Sequence, residues 1–160
     1  MMRAFALLIA FVAVACSSCS KPLVSARVDN RIQYFTQNYA ATPNDTYYAV
    51  RWALKEAHLP VAEEDLPSGV IKTSWVPTTS DSHYLELFDR RDYGATNSYF
   101  QLEIHVEDGS GRTQVKVGSR VKTLVNNIYS SGEVEQKVLA GIGNYLRKSA
   151  PELTNLGVNE

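Results

Sequence analysis

The apolar positions of the chain recur with two different periods, and each period names an element. Tyr47, Val50, Leu54 and Ala57 stand three or four residues apart, which puts one stripe along a helix. Just ahead of them, Thr42, Pro43 and Asp45 supply a capping hydroxyl, a proline for the first helical position and a carboxylate for the exposed amides. Leu59-Pro60 ends the run, because proline disfavours helical backbone in the residue before it. His58 then lies beside the last carbonyls. A second stripe, Val134, Val138, Ile142, Tyr145 and Leu146, predicts a closing helix that Pro151 stops. Ser130 with Glu133 three residues on reads as its capping box. Gly141 and Gly143 each cost that helix about 1 kcal/mol against alanine, which makes sense where its backbone lies close on a sheet.

Between the helices the period falls to two. After the turn formers Pro67 and Gly69, Ile71, Thr73 and Trp75 alternate with Lys72 and Ser74, so residues 61–64 and 70–76 read as a hairpin-like pair. The strongest unit is FQLEIHVE with TQVKV, joined by a four-residue turn, Asp108 to Gly111. With Glu107 opposite Arg112, Phe100 faces Ser119, Leu102 faces Val117, Ile104 faces Val115, and Glu103 faces Lys116. Apolar then meets apolar and acid meets base, as one buried and one wet sheet face require. Residues 77–98 hold no sustained period and read as a long connection, within which Leu85, Leu87 and Phe88 could form a short strand or a helical turn. Residues 17–41 are polar and mixed. They suit a tether, with a short strand at 31–35 as the alternative. The expected fold is α+β and helix-grip-like: about four antiparallel strands with both helices on one face, in the order α-β-β-β-β-α, over residues 42–150, with a flexible tail at 151–160.

The 160 residues, 44% hydrophobic and 21% charged, make one ordinary globular domain. Ahead of it, Arg3 precedes an apolar run from Ala4 to Ala15. As a helix that run would rise only about 18 Å, short of the roughly 30 Å hydrocarbon core, so residues 1–15 read as a secretory signal peptide. Ala13-Val14-Ala15 fits the small-x-small rule for ordinary cleavage, and with Cys16 behind it the stretch is similar to a bacterial lipobox. In that reading Cys16 is diacylated and opens the mature chain, making residues 16–41 a lipidated tether. Ser17 then directs the protein, by analogy with bacterial sorting signals, to the periplasmic side of the outer membrane. The alternatives are cleavage after Ala15 with a Cys16–Cys19 disulfide, or a cysteine pair without a role. Without the leader, 15 basic residues meet 17 acidic ones, which excludes nucleic acid as the main partner.

Candidate chemistry is sparse. Glu103, His105 and Glu107 alternate on one strand face, but neighbours there stand about 6.5 Å apart, too far for one metal ion to bind all three. They read as a solvated face. No phosphate loop, nucleophile elbow or cysteine–histidine pair stands in the chain, so no catalytic residue, metal or cofactor is assigned. Trp52, Trp75, Arg90 and Arg91 are the candidate partner or ligand surface. Otherwise the tryptophans are core or edge anchors, and Asp89 to Asp92 is a solvated charged turn.

Trp52-x-Leu54, Asp65, Gly69, Ile71, Thr73, Trp75 and the FQLEIHVE hairpin, within roughly residues 45–148, resemble one repeat of the BamC-type (NlpB-like) lipoproteins. These are accessory members of the machinery that inserts β-barrels into the outer membrane, with two helix-grip domains behind a lipidated tail. The resemblance implies one such domain and no active site. The expectation is a lipid-anchored, non-catalytic binding module with membrane and envelope-protein partners. The alternative is a carrier or sensor of a small apolar or lipid ligand, in a cavity lined by Phe100, Leu102, Ile142 and Tyr145.

Overall fold

A computed structural model describes residues 26–149, apart from 30, 89 and 94–96. The residues expected to form a signal peptide (1–15), Cys16, Cys19, the first part of the expected tether and the expected tail lie outside the described residues. Helix α1 (Pro43–Glu56) starts as its pattern requires, with the Asp45 amide donating to Thr42 Oγ1 at 3.1 Å. It buries Thr46, Tyr47, Ala49, Val50, Ala53 and Leu54. Its end is closed by the Ala57 amide donating to the Ala53 carbonyl, and His58 Nδ1 stands 3.0 Å from the Glu56 carbonyl oxygen. Helix α2 (Glu133–Ser149) buries Val138, Leu139 and Ile142, with Val134, Tyr145 and Leu146 packed at the margin.

The main sheet has seven strands. β8 (Tyr99–Gly109) and β9 (Arg112–Thr123) form its centre. β4 (Val70–Thr73) and β5 (Val76–Pro77) follow each other along β8, and β3 (Val61–Asp65) forms the edge beyond β4. On the other side β1 (Arg27–Asp29) and β2 (Tyr34–Tyr39) lie one after the other along β9. All pairings are antiparallel. Both helices cover one face, where Phe100, Leu102, Ile104, Val115 and Val117 join their apolar stripes in one core. The α+β class with two helices on an antiparallel sheet is as expected, and the sheet is wider than expected.

The extra width comes from residues read as tether. The 26–41 stretch holds β1 and β2, so the ordered domain begins well before Thr42. In β2 only Phe35 and Tyr39 join the core; Gln37, on the same face, stays exposed beside α2, and Thr36 and Asn38 take the other face, so the apolar alternation is diluted. The stretch is fastened by long-range bonds: Tyr39 Oη donates to the Leu139 carbonyl at 2.6 Å, and Thr113 Oγ1 to the Ala41 carbonyl at 2.6 Å.

Four further expectations change. The β8–β9 turn is two residues, with Gly109 opposite Arg112, so every pair moves by two: Ile104 faces Val117, Val106 faces Val115 and Glu103 faces Gly118. A shift of two keeps each side chain on its face, so apolar and polar sides survive intact. Residues 77–98 form β5 and most of a second, three-stranded sheet, in which β6 (His83–Leu87) lies between β7 (Arg90–Asp92) and β10 (Ile128–Ser130). Ser130 belongs to β10, opposite His83, and cannot cap α2. The Glu133 amide is held by Ser131 Oγ at 3.2 Å instead, and Ser130 Oγ donates to the buried Glu135 at 2.7 Å. Gly141 serves the helix pair and not the sheet: a Cβ there would stand 3.1 Å from Ala53 Cβ of α1.

Candidate functional site

Three places gather side chains with chemistry. The first is the outer sheet face around Glu103, which is 7% exposed, so the solvated-face reading fails for this residue. Gly118 opposite it has no side chain, and a Cβ there would lie 2.4 Å from Ile32 Cγ2. That gap lets the chain before β2 cross close to the sheet and lay Tyr34 over the carboxylate. Tyr34 Oη donates to Glu103 Oε1 at 2.9 Å, His105 Nε2 stands 3.0 Å from the same oxygen, and Arg120 approaches Oε2 at 2.7 Å without hydrogen-bond alignment. Burial alone would push the Glu103 carboxyl up, but His105, Tyr34 and Arg120 together hold it below its ordinary value. Burial and the Glu103 hydrogen bond push Tyr34 up to about 12. The carboxylate is thus tied on both oxygens, which suits a clamp fastening β2 to the sheet. Glu107 is separate, bonded to Lys116 at 2.7 and 2.8 Å. Among the described residues no three His, Cys, Asp or Glu side chains converge as metal ligands.

The second place is His83, which opens β6 of the small sheet and is 1% exposed. Its Nδ1 stands 3.0 Å from Ser82 Oγ, its Nε2 3.3 Å from Ser119 Oγ, and its ring lies 4.9 Å from that of Phe100. Burial pushes its pKa down to about 4, so it is neutral at pH 7. A nucleophilic pair would need a carboxylate on the far ring nitrogen. Here that nitrogen meets a second serine, and both serines are buried.

The third place is open. Between α1 and the edge strand β3 runs a groove of about 560 Å³, with apolar walls from Tyr48, Trp52, Leu59, Pro60 and Val61. Arg51, Lys55, His58 and Glu64 stand on its rim. Trp52 is anchored from behind by Tyr145 of α2, ring centres 5.3 Å apart. Arg51 pairs with Glu64 at 3.2 Å, and Tyr47 Oη donates to the same carboxylate at 3.3 Å. Among the described residues β3 pairs only with β4, so one side of its backbone borders the groove unpaired within the sheet.

The four sequence candidates are not brought together. Trp52 lines the groove; Trp75 is half-buried between β4 and β5 and does not line it. Arg90 and Arg91 are exposed on β7. There Arg91 lies over Tyr84, 4.8 Å from its ring centre. Tyr84 has Tyr93 at 5.4 Å and Tyr129 at 5.9 Å, and Arg31 stacks on Tyr129 at 5.8 Å. Sequence reasoning misses this tyrosine row because Tyr84 and Tyr129 meet only through the β6–β10 pairing. It misses Tyr34 and Arg120 for the same reason. Phe100, Leu102 and Ile142, named for a ligand cavity, are 4%, 0% and 0% exposed in the packed core.

These features define an α+β protein of helix-grip type, with two helices on one face of a wide antiparallel sheet and an open groove at its edge. No family model matches the chain, and no curated protein does. Among solved structures, it is similar to norcoclaurine synthase from Thalictrum flavum, at 13% identity over 78% of this chain and 90% of that one, with a TM-score of 0.42. It is also similar to Ara h 8.0201, at 14% identity over 76% and 99% of the two chains (TM-score 0.38). For a protein from Thermus thermophilus the figures are 10%, 75% and 99% (TM-score 0.39).

Proposed function

We propose that the chain is a lipid-anchored lipoprotein on the periplasmic side of the outer membrane, working by binding an envelope protein and not by catalysis. The role fits an accessory part in outer-membrane protein assembly or envelope maintenance, as the BamC-type resemblance suggests. The observation that carries the binding role is the Trp52 groove beside the free edge of β3. An extended segment of a partner could add to the β3 edge through main-chain hydrogen bonds while one apolar side chain enters the groove. Tryptophan, tyrosine and arginine are the residue types that dominate binding energies, and Tyr48, Arg51 and Trp52 supply all three. The reading of Glu103 and His83 as tied or enclosed groups supports a non-catalytic role. The packed Phe100, Leu102 and Ile142 favour it over carriage of a ligand inside the domain.

The test places a photo-crosslinking amino acid at Tyr48, in the groove, and at exposed Lys137 on α2, in the full chain in its native envelope. A crosslink to a defined envelope protein from position 48, absent from position 137 and lost in Arg51→Glu, is the expected result. Equal labelling from both positions, or none from either, overturns the groove as the binding surface. Mass spectrometry of the mature N-terminus tests the anchor separately: an unmodified Cys16 overturns it.

A further inference from the structure

Six of the large apolar side chains left in solvent stand at one end of the domain. Val28 and Tyr99 flank Lys122 across three adjacent strands, and Leu124 and Val125 follow in the loop after β9. The Glu86 amide donates to the Asn127 carbonyl at 3.0 Å, which lays the β6–β7 tip, Leu87 and Phe88, beside that loop. Each of the six is at least 44% exposed, and Phe88 is 97% exposed. Single exposed apolar residues need no explanation, but a concentration at one end does. Phe88 sharpens the point. It holds φ at 49°, a left-handed backbone that a bulky residue adopts only at a cost, and it packs on nothing in return.

The same end receives the chain from Cys16, since Arg27 pairs with Thr123 at the finish of β9. The ten residues between Cys16 and Arg27 span about 35 Å fully extended and about 20 Å as a flexible coil. The geometry points to this end as a bilayer-docking surface. The six side chains enter the boundary between headgroups and acyl chains, and Arg27, Arg90 and Lys122 at the rim reach the lipid phosphates. The choice of a bilayer as occupant rests on the lipid-anchored reading, because an acylated Cys16 keeps this end within a coil's reach of the membrane.

The test uses the full chain, purified with its native N-terminus and reconstituted in vesicles of phosphatidylethanolamine and phosphatidylglycerol with brominated acyl chains. Phe88→Trp and Leu124→Trp report from the apolar end, and Leu66→Trp from the exposed turn at the opposite end; each is read against the parent chain. Groups seated roughly 5–10 Å into the boundary should lose about half of their added emission to bromine, while the Leu66 probe loses none. Equal quenching at all three positions overturns the proposal, as does a Phe88 probe that responds to protein concentration and not to bromolipid, which would mark a second copy as occupant. Mass spectrometry of the same sample separates the two readings. An acylated Cys16 with unquenched probes sinks the docking surface and leaves the anchor. An unmodified Cys16 with probes quenched on mixing with vesicles does the reverse.

Discussion

Two single residues carry consequences that solution measurements can read. Phe88 stands in a two-residue connection between Leu87 and Arg90, a setting in which asparagine and glycine are favoured because their backbones accept positive φ. Phe88→Asn should therefore raise the stability of the full chain by about 1 kcal/mol, read as a higher urea midpoint in the absence of lipid. A lower midpoint would mean that the aromatic ring holds the domain together. His83 works through protons. Unfolded, it titrates near its ordinary 6.5; folded, it titrates at about 4. Between those values the unfolded chain binds more protons than the folded one, so stability rises with pH across that window and falls on acidification. The full difference is on the order of 3 kcal/mol. Glu103, with its carboxyl held low, adds to the loss as pH falls below the ordinary carboxylate range. His83→Gln keeps a donor and an acceptor for the two serines and removes the proton site. It should flatten the dependence of the urea midpoint between pH 6.5 and 4, while leaving the acid limb from Glu103 in place.

At the scale of elements, what the sequence discloses depends on whether a strand finds its partner nearby. The two helices and the β8–β9 pair are legible because caps, stripes and alternation all act within a few residues. Even there the turn is shorter than its residues suggest: Asp108 and Gly109 look like turn formers but continue β8. β2 is hidden for the opposite reason. Its strand character is conferred by β9, far along the chain, and its own pattern shows only Phe35 and Tyr39. The second sheet is hidden likewise, since β10 gives β6 its register. The Trp52 groove is half legible: the residue can be singled out, but the edge of β3 that makes it a groove cannot. Gly118 is the hinge of the hidden part, because it alone leaves room for Ile32 and Tyr34. Gly118→Val should cost about 1–3 kcal/mol by overpacking and free Tyr34 from Glu103. Amide exchange would then quicken along β2 and stay slow in β4. Uniform loss of protection would mean that β2 is no separate unit.

For the whole molecule, the proposed anchor, groove and apolar end would divide the work between reach and grip. In the proposed arrangement the lipidated tether would set which end faces the bilayer; the groove lies on the far side of the sheet order, along β3, whereas the strands that follow the tether lie along β9. Cys16→Ser should move the protein from the membrane fraction to the soluble periplasm, as read by fractionation, while crosslinking from Tyr48 persists at reduced yield because the local concentration of partner has fallen. Undiminished crosslinking with the protein still on the membrane would assign retention to the groove partner and not to lipid.

The first two strands of the sheet are also the ones that wait longest for their mate. Arg27 and Tyr34 emerge early in synthesis, yet their ladder forms only on β9, after almost the entire domain has been delivered. Such distant pairing is slow, because a large loop must close before any contact rewards it. During folding, therefore, the edge of β9 stays bare until the leading segment returns to it. Seating that segment is the expected final event of folding, and β9 is the edge left open to any other strand until it happens.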